Sequence, residues 1–177
     1  LLHEDVMTIM GPDLHNFARQ AVLTEGAVGY TPAPKQSLND KILRPVNDPF
    51  QASGGLQNLT GNLGTAVVKI SAVAEDKRLI EAPAAVFQSQ DAVKKAFQSG
   101  VLNRDVIVVV RYQGPSVNGM PELHNLTPFL AILQDRGYKV ALITDGRMSG
   151  ASGKVPAAIH LSPEAADGGP IAQIEDG

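Results

Sequence analysis

The sequence predicts an α/β fold with a mixed, partly parallel β-sheet flanked by helices, and three observations carry that expectation. Val106–Val110 is a run of five apolar residues, and a strand apolar at every position is buried on both faces, as in sheets covered by helices. Residues 140–143 form a second such run. Between them Leu123, Leu126, Leu130 and Leu133 fall three, four and three apart, the spacing of one helical face. A strand, a helix and another buried strand in succession argue a right-handed parallel crossover.

Taken in order, the chain opens with Val6, Ile9, Met10, Leu14, Phe17, Ala18, Ala21 and Val22 at a helix-like spacing that Gly11-Pro12 interrupts. This predicts two short helices. Residues 24–51 are polar and broken by Pro32, Pro34, Pro45 and Pro49, the composition of a long connecting segment or extended arm. A glycine-punctuated stretch from Gly54 to Gly64 precedes the first expected strand, 64–73, which is dense in β-branched residues. Within it Lys69 points either inward or to solvent. Ala84–Phe87 is expected as the next strand, and Gln90–Gln98 as a short amphipathic helix with Ser89 as its N-cap and Gly100 beyond its end. After Val106–Val110 a helix is expected to begin following Pro121 and to stop at Gly137. Residues 157–161 and 170–174 read as two further strands, and Glu175-Asp176-Gly177 as the turn before another. The expected division is therefore 1–51, a helical lead-in and linker, and 52–177, a β/α domain with its last strand truncated.

Composition narrows the function. Fifteen Lys and Arg against eighteen Asp and Glu leave a formal charge of -3, which supplies no electrostatic footprint for nucleic acid. No stretch approaches the ~20 apolar residues of a membrane-spanning helix, and the first residues lack a signal-peptide layout. The expectation is a soluble, cytoplasmic protein that binds neither nucleic acid nor membrane. The chain contains no cysteine, so it offers no disulfide, no zinc-thiolate site, no iron–sulfur ligand and no thiol nucleophile. Its first residue is Leu rather than Met, which suggests a piece of a longer polypeptide.

Two loops hold the chemistry. Thr144-Asp145-Gly146-Arg147-Met148-Ser149-Gly150-Ala151-Ser152-Gly153-Lys154 directly follows a buried strand, and in open α/β sheets ligands sit at the carboxyl ends of strands. Its glycines let backbone N–H groups approach a ligand, its serines bring hydroxyls, and Arg147 and Lys154 can neutralise an anion. The same composition also suits a plain polar surface loop, and it matches neither the P-loop nor the dinucleotide fingerprint. The second loop, 112–122, also follows a buried strand. If the two strands are neighbours, Glu122 and Ser149 can face one pocket. Alternatively, Glu122 is a carboxylate favoured in a first helical turn after Pro121. His3, His15, His124 and His160 show no metal-ligand spacing. Only His124 lies beside a suspect loop, and it reads as a helix-surface or capping side chain ahead of a catalytic one.

Three segments, Gly54-Gly55-Leu56 with Gly61-Asn62-Leu63-Gly64, Val110-Arg111-Tyr112-Gln113-Gly114-Pro115 with Asn118-Gly119-Met120-Pro121-Glu122-Leu123-His124, and 144–156, closely resemble the dihydroxy-acid and sugar-acid dehydratase family. Gln-Gly-Pro at 113–115 and Gly-Ala-Ser-Gly-Lys-Val-Pro at 150–156 look closer to its 6-phosphogluconate branch than to its branched-chain amino-acid branch. The resemblance implies a C-terminal swivelling-type β/β/α domain, with its sheet open or closed into a barrel. It further implies a large N-terminal domain as partner, whose cysteines hold a 4Fe-4S cluster, along with a divalent cation, usually Mg2+, and a homodimer. The reaction implied is loss of water from a sugar-acid phosphate in the Entner–Doudoroff pathway. Ser149 matches the family's catalytic base, and Glu122 its divalent-cation ligand. Arg147, Ser152, Lys154 and Asn118 are expected to contact substrate, on chemistry and location. Two alternatives stay open: another dihydroxy-acid or sugar-acid dehydratase, and a closing or docking module without chemistry of its own.

Overall fold

The structure, a computed structural model, describes residues 5–14, 17–149 and 154–177. The chain divides into two compact units, Leu1–Ser53 and Gly54–Gly177.

Among the described residues the first unit is built from β-hairpins, which replace the two helices expected over 1–23. β1 (Met7–Thr8) pairs antiparallel with β2 (Gly11–Pro12), and Thr8 Oγ1 donates to Gly11 O at 2.8 Å across the turn. Gly11-Pro12 is thus the return arm of a hairpin rather than a break between helices, with Gly11 at φ 108°. β3 (Arg19–Thr24) pairs along its whole length with β4 (Ala27–Pro32). Their two-residue connection has Glu25 at φ 51° and Gly26 at φ 82°, the doubly positive geometry whose twist suits a hairpin. Cross-strand pairing overrides the helical spacing at residues 19–22, and of the segment expected as a linker Thr24 and Ala27–Pro32 become strand.

The second unit contains a six-stranded mixed sheet in the order β5-β6-β10-β9-β8-β7. The members are β5 (Leu56–Gly61), β6 (Gly64–Lys69), β7 (Ala84–Phe87), β8 (Val106–Val110), β9 (Val140–Thr144) and β10 (Ala157–Ser162). β7, β8, β9 and β10 run parallel, whereas β6 is antiparallel to β10 and to β5. The α/β expectation of a mixed, partly parallel sheet flanked by helices is met, and the linear strand order closes no barrel among the described residues.

α1 (Gln90–Gln98) crosses from β7 to β8, capped by the Ser89 side chain, which accepts from Ala92 N. α2 (Pro115–Asn118) and α3 (Thr127–Asp135) lie between β8 and β9. The leucine stripe identifies the buried face of this crossover, with Leu123, Leu126, Leu130 and Leu133 at 0–1% exposure. It misplaces the start, because α3 begins only at Thr127-Pro128, after a single 3-10 turn at His124–Leu126.

The apolar run of β8 is explained by burial on both sides. Val106, Val108 and Val110 pack into one core with Val93, Leu126, Leu130 and Leu133. Ile107 and Val109 enter a second core on the other face with Leu161, Ala165 and Ile171. That second face is covered by two 3-10 turns, Ala165–Asp167 and Pro170–Gln173, so residues 170–174 are not the expected strand. Pro170 has no N–H to give a ladder, and Ile171, fully buried, anchors the turn against the sheet. The Gly54–Gly64 stretch, to which the sequence assigns no element, supplies edge strand β5. At Gly64, φ 114°, a Cβ would collide with the Ser162 carbonyl, so glycine is required where β6 meets β10.

Candidate functional site

The parallel strands β8 and β9 deliver their loops to the same sheet edge. Glu122 lies in that cluster as a bridge residue paired with Arg147, not in a helical first turn. Leu123 N donates to Arg147 O at 3.1 Å, which clips the chain before α3 onto the loop after β9.

The Glu122 carboxylate holds three groups. Oε1 accepts from Ser149 N at 2.8 Å and from His124 N at 2.9 Å, while Oε2 receives Arg147 Nη1 at 3.2 Å. Arg147 Nε donates to Met120 O at 2.8 Å, so the guanidinium is itself fixed. Burial pushes the Glu122 pKa up, but the N–H groups of Ser149 and His124 and the charges of Arg147 and His124 outweigh it. The net shift is below the ordinary value of 4.5. The geometry therefore keeps an anion at Glu122, and that anion fixes the backbone of Ser149.

Beneath this surface layer lies a carboxylate that sequence reasoning passed over. Asp145 is 1% exposed. Its Oδ1 accepts from Gln113 N at 2.9 Å, and its Oδ2 from Tyr112 N at 3.1 Å and Ala165 N at 3.0 Å. One side chain thus ties together the segments that follow β8, β9 and β10. Gln113, also buried, extends the knot by donating to Gln88 O and accepting from Asn118 Nδ2 at 3.1 Å. Glu164 accepts from Ser116 Oγ at 2.7 Å and fastens α2 to the same edge. No sequence pattern pointed to the bonds of Asp145, since its partners stand 32, 33 and 20 residues away. The only signal was an acid immediately after a buried strand.

Of the expected site residues, Glu122, Arg147 and Ser149 are brought together. Asn118 is engaged with Gln113. Lys154 is paired with Asp135 at the far end of α3 from Glu122. Ser152 lies outside the described residues. His124 contributes its backbone N–H to Glu122, and its buried Nδ1 has no partner among the described residues.

An open mixed sheet with an anion–guanidinium cluster at the carboxyl ends of its parallel strands defines an α/β domain of the kind that binds small molecules beyond its strand ends. The family model described as dihydroxy-acid/6-phosphogluconate dehydratase, C-terminal, matches residues 41–177, and the chain belongs to that family. It is 57% identical over 177 residues to phosphogluconate dehydratase of Pseudomonas aeruginosa, and 57% over 178 residues to that of Rhizobium meliloti. A dihydroxy-acid dehydratase of Pyrococcus furiosus is 39% identical over 181 residues. Each match spans the whole of this chain, but the chain spans only 29% of the two phosphogluconate dehydratases and 30% of the third protein. Among the described residues no helix is long and apolar enough to cross a membrane.

Proposed function

We propose that this chain supplies the proton-abstracting part of a phosphogluconate dehydratase. In this reading the whole protein converts 6-phospho-D-gluconate to 2-dehydro-3-deoxy-6-phosphogluconate and water, the dehydration step of the Entner–Doudoroff pathway. The observation that carries it is the hydrogen bond from Ser149 N to the Glu122 carboxylate, itself held by Arg147. The greater identity to phosphogluconate dehydratases than to the dihydroxy-acid dehydratase supports this substrate branch.

In this reading Ser149, as its alkoxide, takes the proton from C2 and becomes the hydroxyl, the C3 hydroxyl leaves with its bonding electrons and takes up a proton to depart as water, and the resulting enol tautomerises to the 2-oxo acid. Arg147 offers its remaining N–H groups to the substrate's oxyanions, and Ser152, Lys154 and Asn118 remain candidates for the same task. A 4Fe-4S cluster does not fit the residues of this chain, which has no thiolate to hold one. The proposal therefore places such ligands on an N-terminal domain. Nor do the described residues build a divalent-cation site, since they contain no group of three His, Asp or Glu placed to share an ion. Magnesium prefers six oxygens, so Glu122 would contribute one of them and the rest of the protein the others. A homodimer belongs to the same proposal, as does a cytoplasmic location, because a phosphorylated sugar acid is too highly charged to leave the cell unaided.

The test is the full-length protein with Ser149→Ala. A serine acting as base predicts loss of turnover and of solvent exchange at the substrate's C2 hydrogen by about 10²-fold or more, with folding intact. Wild-type rates of both would remove Ser149 from the reaction.

A further inference from the structure

Beside the cluster lies an open cavity of about 410 Å³, lined by Arg147, His160, Ser162, Asp145, Glu164 and Asp167 among others. Its size falls within the range of small-molecule sites, about 300–1,000 Å³. The three acids in its wall do not make it a cation site. The Asp145 carboxylate is taken by three backbone N–H groups, and that of Glu164 by the N–H and hydroxyl of Ser116. Only Asp167 keeps a carboxylate without such partners among the described residues. The same wall includes Arg147, whose Nη2 hydrogens are unused among the described residues, and His160, whose imidazole makes no hydrogen bond or ion pair with the described residues.

His160 is placed there by an unusual backbone. It sits inside β10 at φ 55°, where the pairing with β6 shifts register between Ile159 and Ser162. Its N–H donates to Gly146 O at 2.9 Å, which sets it one residue from Arg147 across the sheet edge. A non-glycine residue in left-handed backbone within a strand is strained, and such strain gathers where a side chain must be aimed. His160 also lines a second cavity of about 330 Å³, together with Asn58, Thr60 and Thr65.

We infer that the cavity between Arg147 and His160 receives the phosphate end of the substrate, with His160 as the contact that selects a phosphorylated acid. This deepens the dehydratase reading and rests on it for the identity of the ligand. In a six-carbon acid phosphate, C2 and phosphorus are six bonds apart, about 7 Å along an extended chain. Arg147 is separated from the Ser149 backbone by one carboxylate, so a substrate with C2 at Ser149 reaches past Arg147 towards His160.

The experiment is calorimetric binding to the full-length protein of three probes: inorganic phosphate, the phosphorylated sugar acid, and the same acid without phosphate. The variant is His160→Asn, because Asn is among the residues most at ease at positive φ. His160→Gly, free of strain there, serves as a second variant should the first lose its fold. The expected result is that inorganic phosphate and the phosphorylated acid bind about tenfold or more weakly, whereas the unphosphorylated acid binds as before. Equal weakening of both acids would place the carboxylate end in the cavity and overturn the assignment, as would unchanged binding of all three probes. Should wild type bind phosphate through His160 yet release no water from the phosphorylated acid, the dehydratase reading fails and the anion site stands.

Discussion

Asp145→Asn tests the knot beneath the site. The wild-type carboxylate is 1% exposed and accepts three backbone N–H groups, one on Oδ1 and two on Oδ2. An amide can put its oxygen at only one of those positions. Keeping the two bonds from Tyr112 and Ala165 turns an NH2 group against Gln113 N, and a buried donor left unsatisfied costs about 1–3 kcal/mol. The two surviving bonds fall from charge-assisted to neutral, about 1 kcal/mol each. Part of this is offset because a neutral amide is less costly to bury than a carboxylate. The net expectation is a loss of about 2–4 kcal/mol, or roughly 10 °C in Tm for a unit of this size. Calorimetric unfolding measures the total, and amide hydrogen exchange localises it to Tyr112, Gln113 and Ala165. A Tm within about 2 °C of wild type, with unchanged exchange at those three amides, would refute the reasoning.

The remaining predictions concern the same edge. Because the Glu122 carboxyl is held below its ordinary value of 4.5, the stability it adds is complete above that pH and is lost as pH falls through the lowered folded value. Glu122→Gln lacks this component, so the gap in unfolding midpoint between wild type and variant should narrow as pH is lowered from 6 to 3, without added divalent cation. A gap that stays constant counts against the charge-based account. Gly146→Ala would set a Cβ 2.7 Å from Gln113 Cβ and 3.2 Å from Gln113 O, and should cost about 1–3 kcal/mol in thermal denaturation. An unaltered melting curve would mean that the Gln113 loop gives way freely.

What the sequence determined by itself was the class of fold and the meeting of two loops at one sheet edge, where the candidate site lies. Val106–Val110 and 140–143 are apolar at successive positions, and only a strand covered on both faces tolerates that; both became central strands of the sheet. The leucine spacing from 123 to 133 selected the buried face of the crossover, because helical periodicity follows from backbone geometry alone. Adjacent parallel strands then sent the loops bearing Glu122 and Ser149 to one edge. Tertiary structure decided the rest, wherever partners distant in the chain outweighed local preference. Ala21 and Val22 continue an apolar spacing compatible with a helix, and the residues after 24 read as linker, but a two-residue turn at Glu25-Gly26 lets 19–24 and 27–32 pair as strands, and that pairing prevails. Residues 170–174 resemble a strand in composition, but the second face of the sheet needed a cover, and Ile171 fills it from a 3-10 turn. The bonds that define the site are of the same kind: Glu122 reaches residue 149, and Asp145 reaches residues 112, 113 and 165. A carboxylate in a linear sequence carries no mark of which N–H groups will surround it, since those donors are gathered only when the strands align.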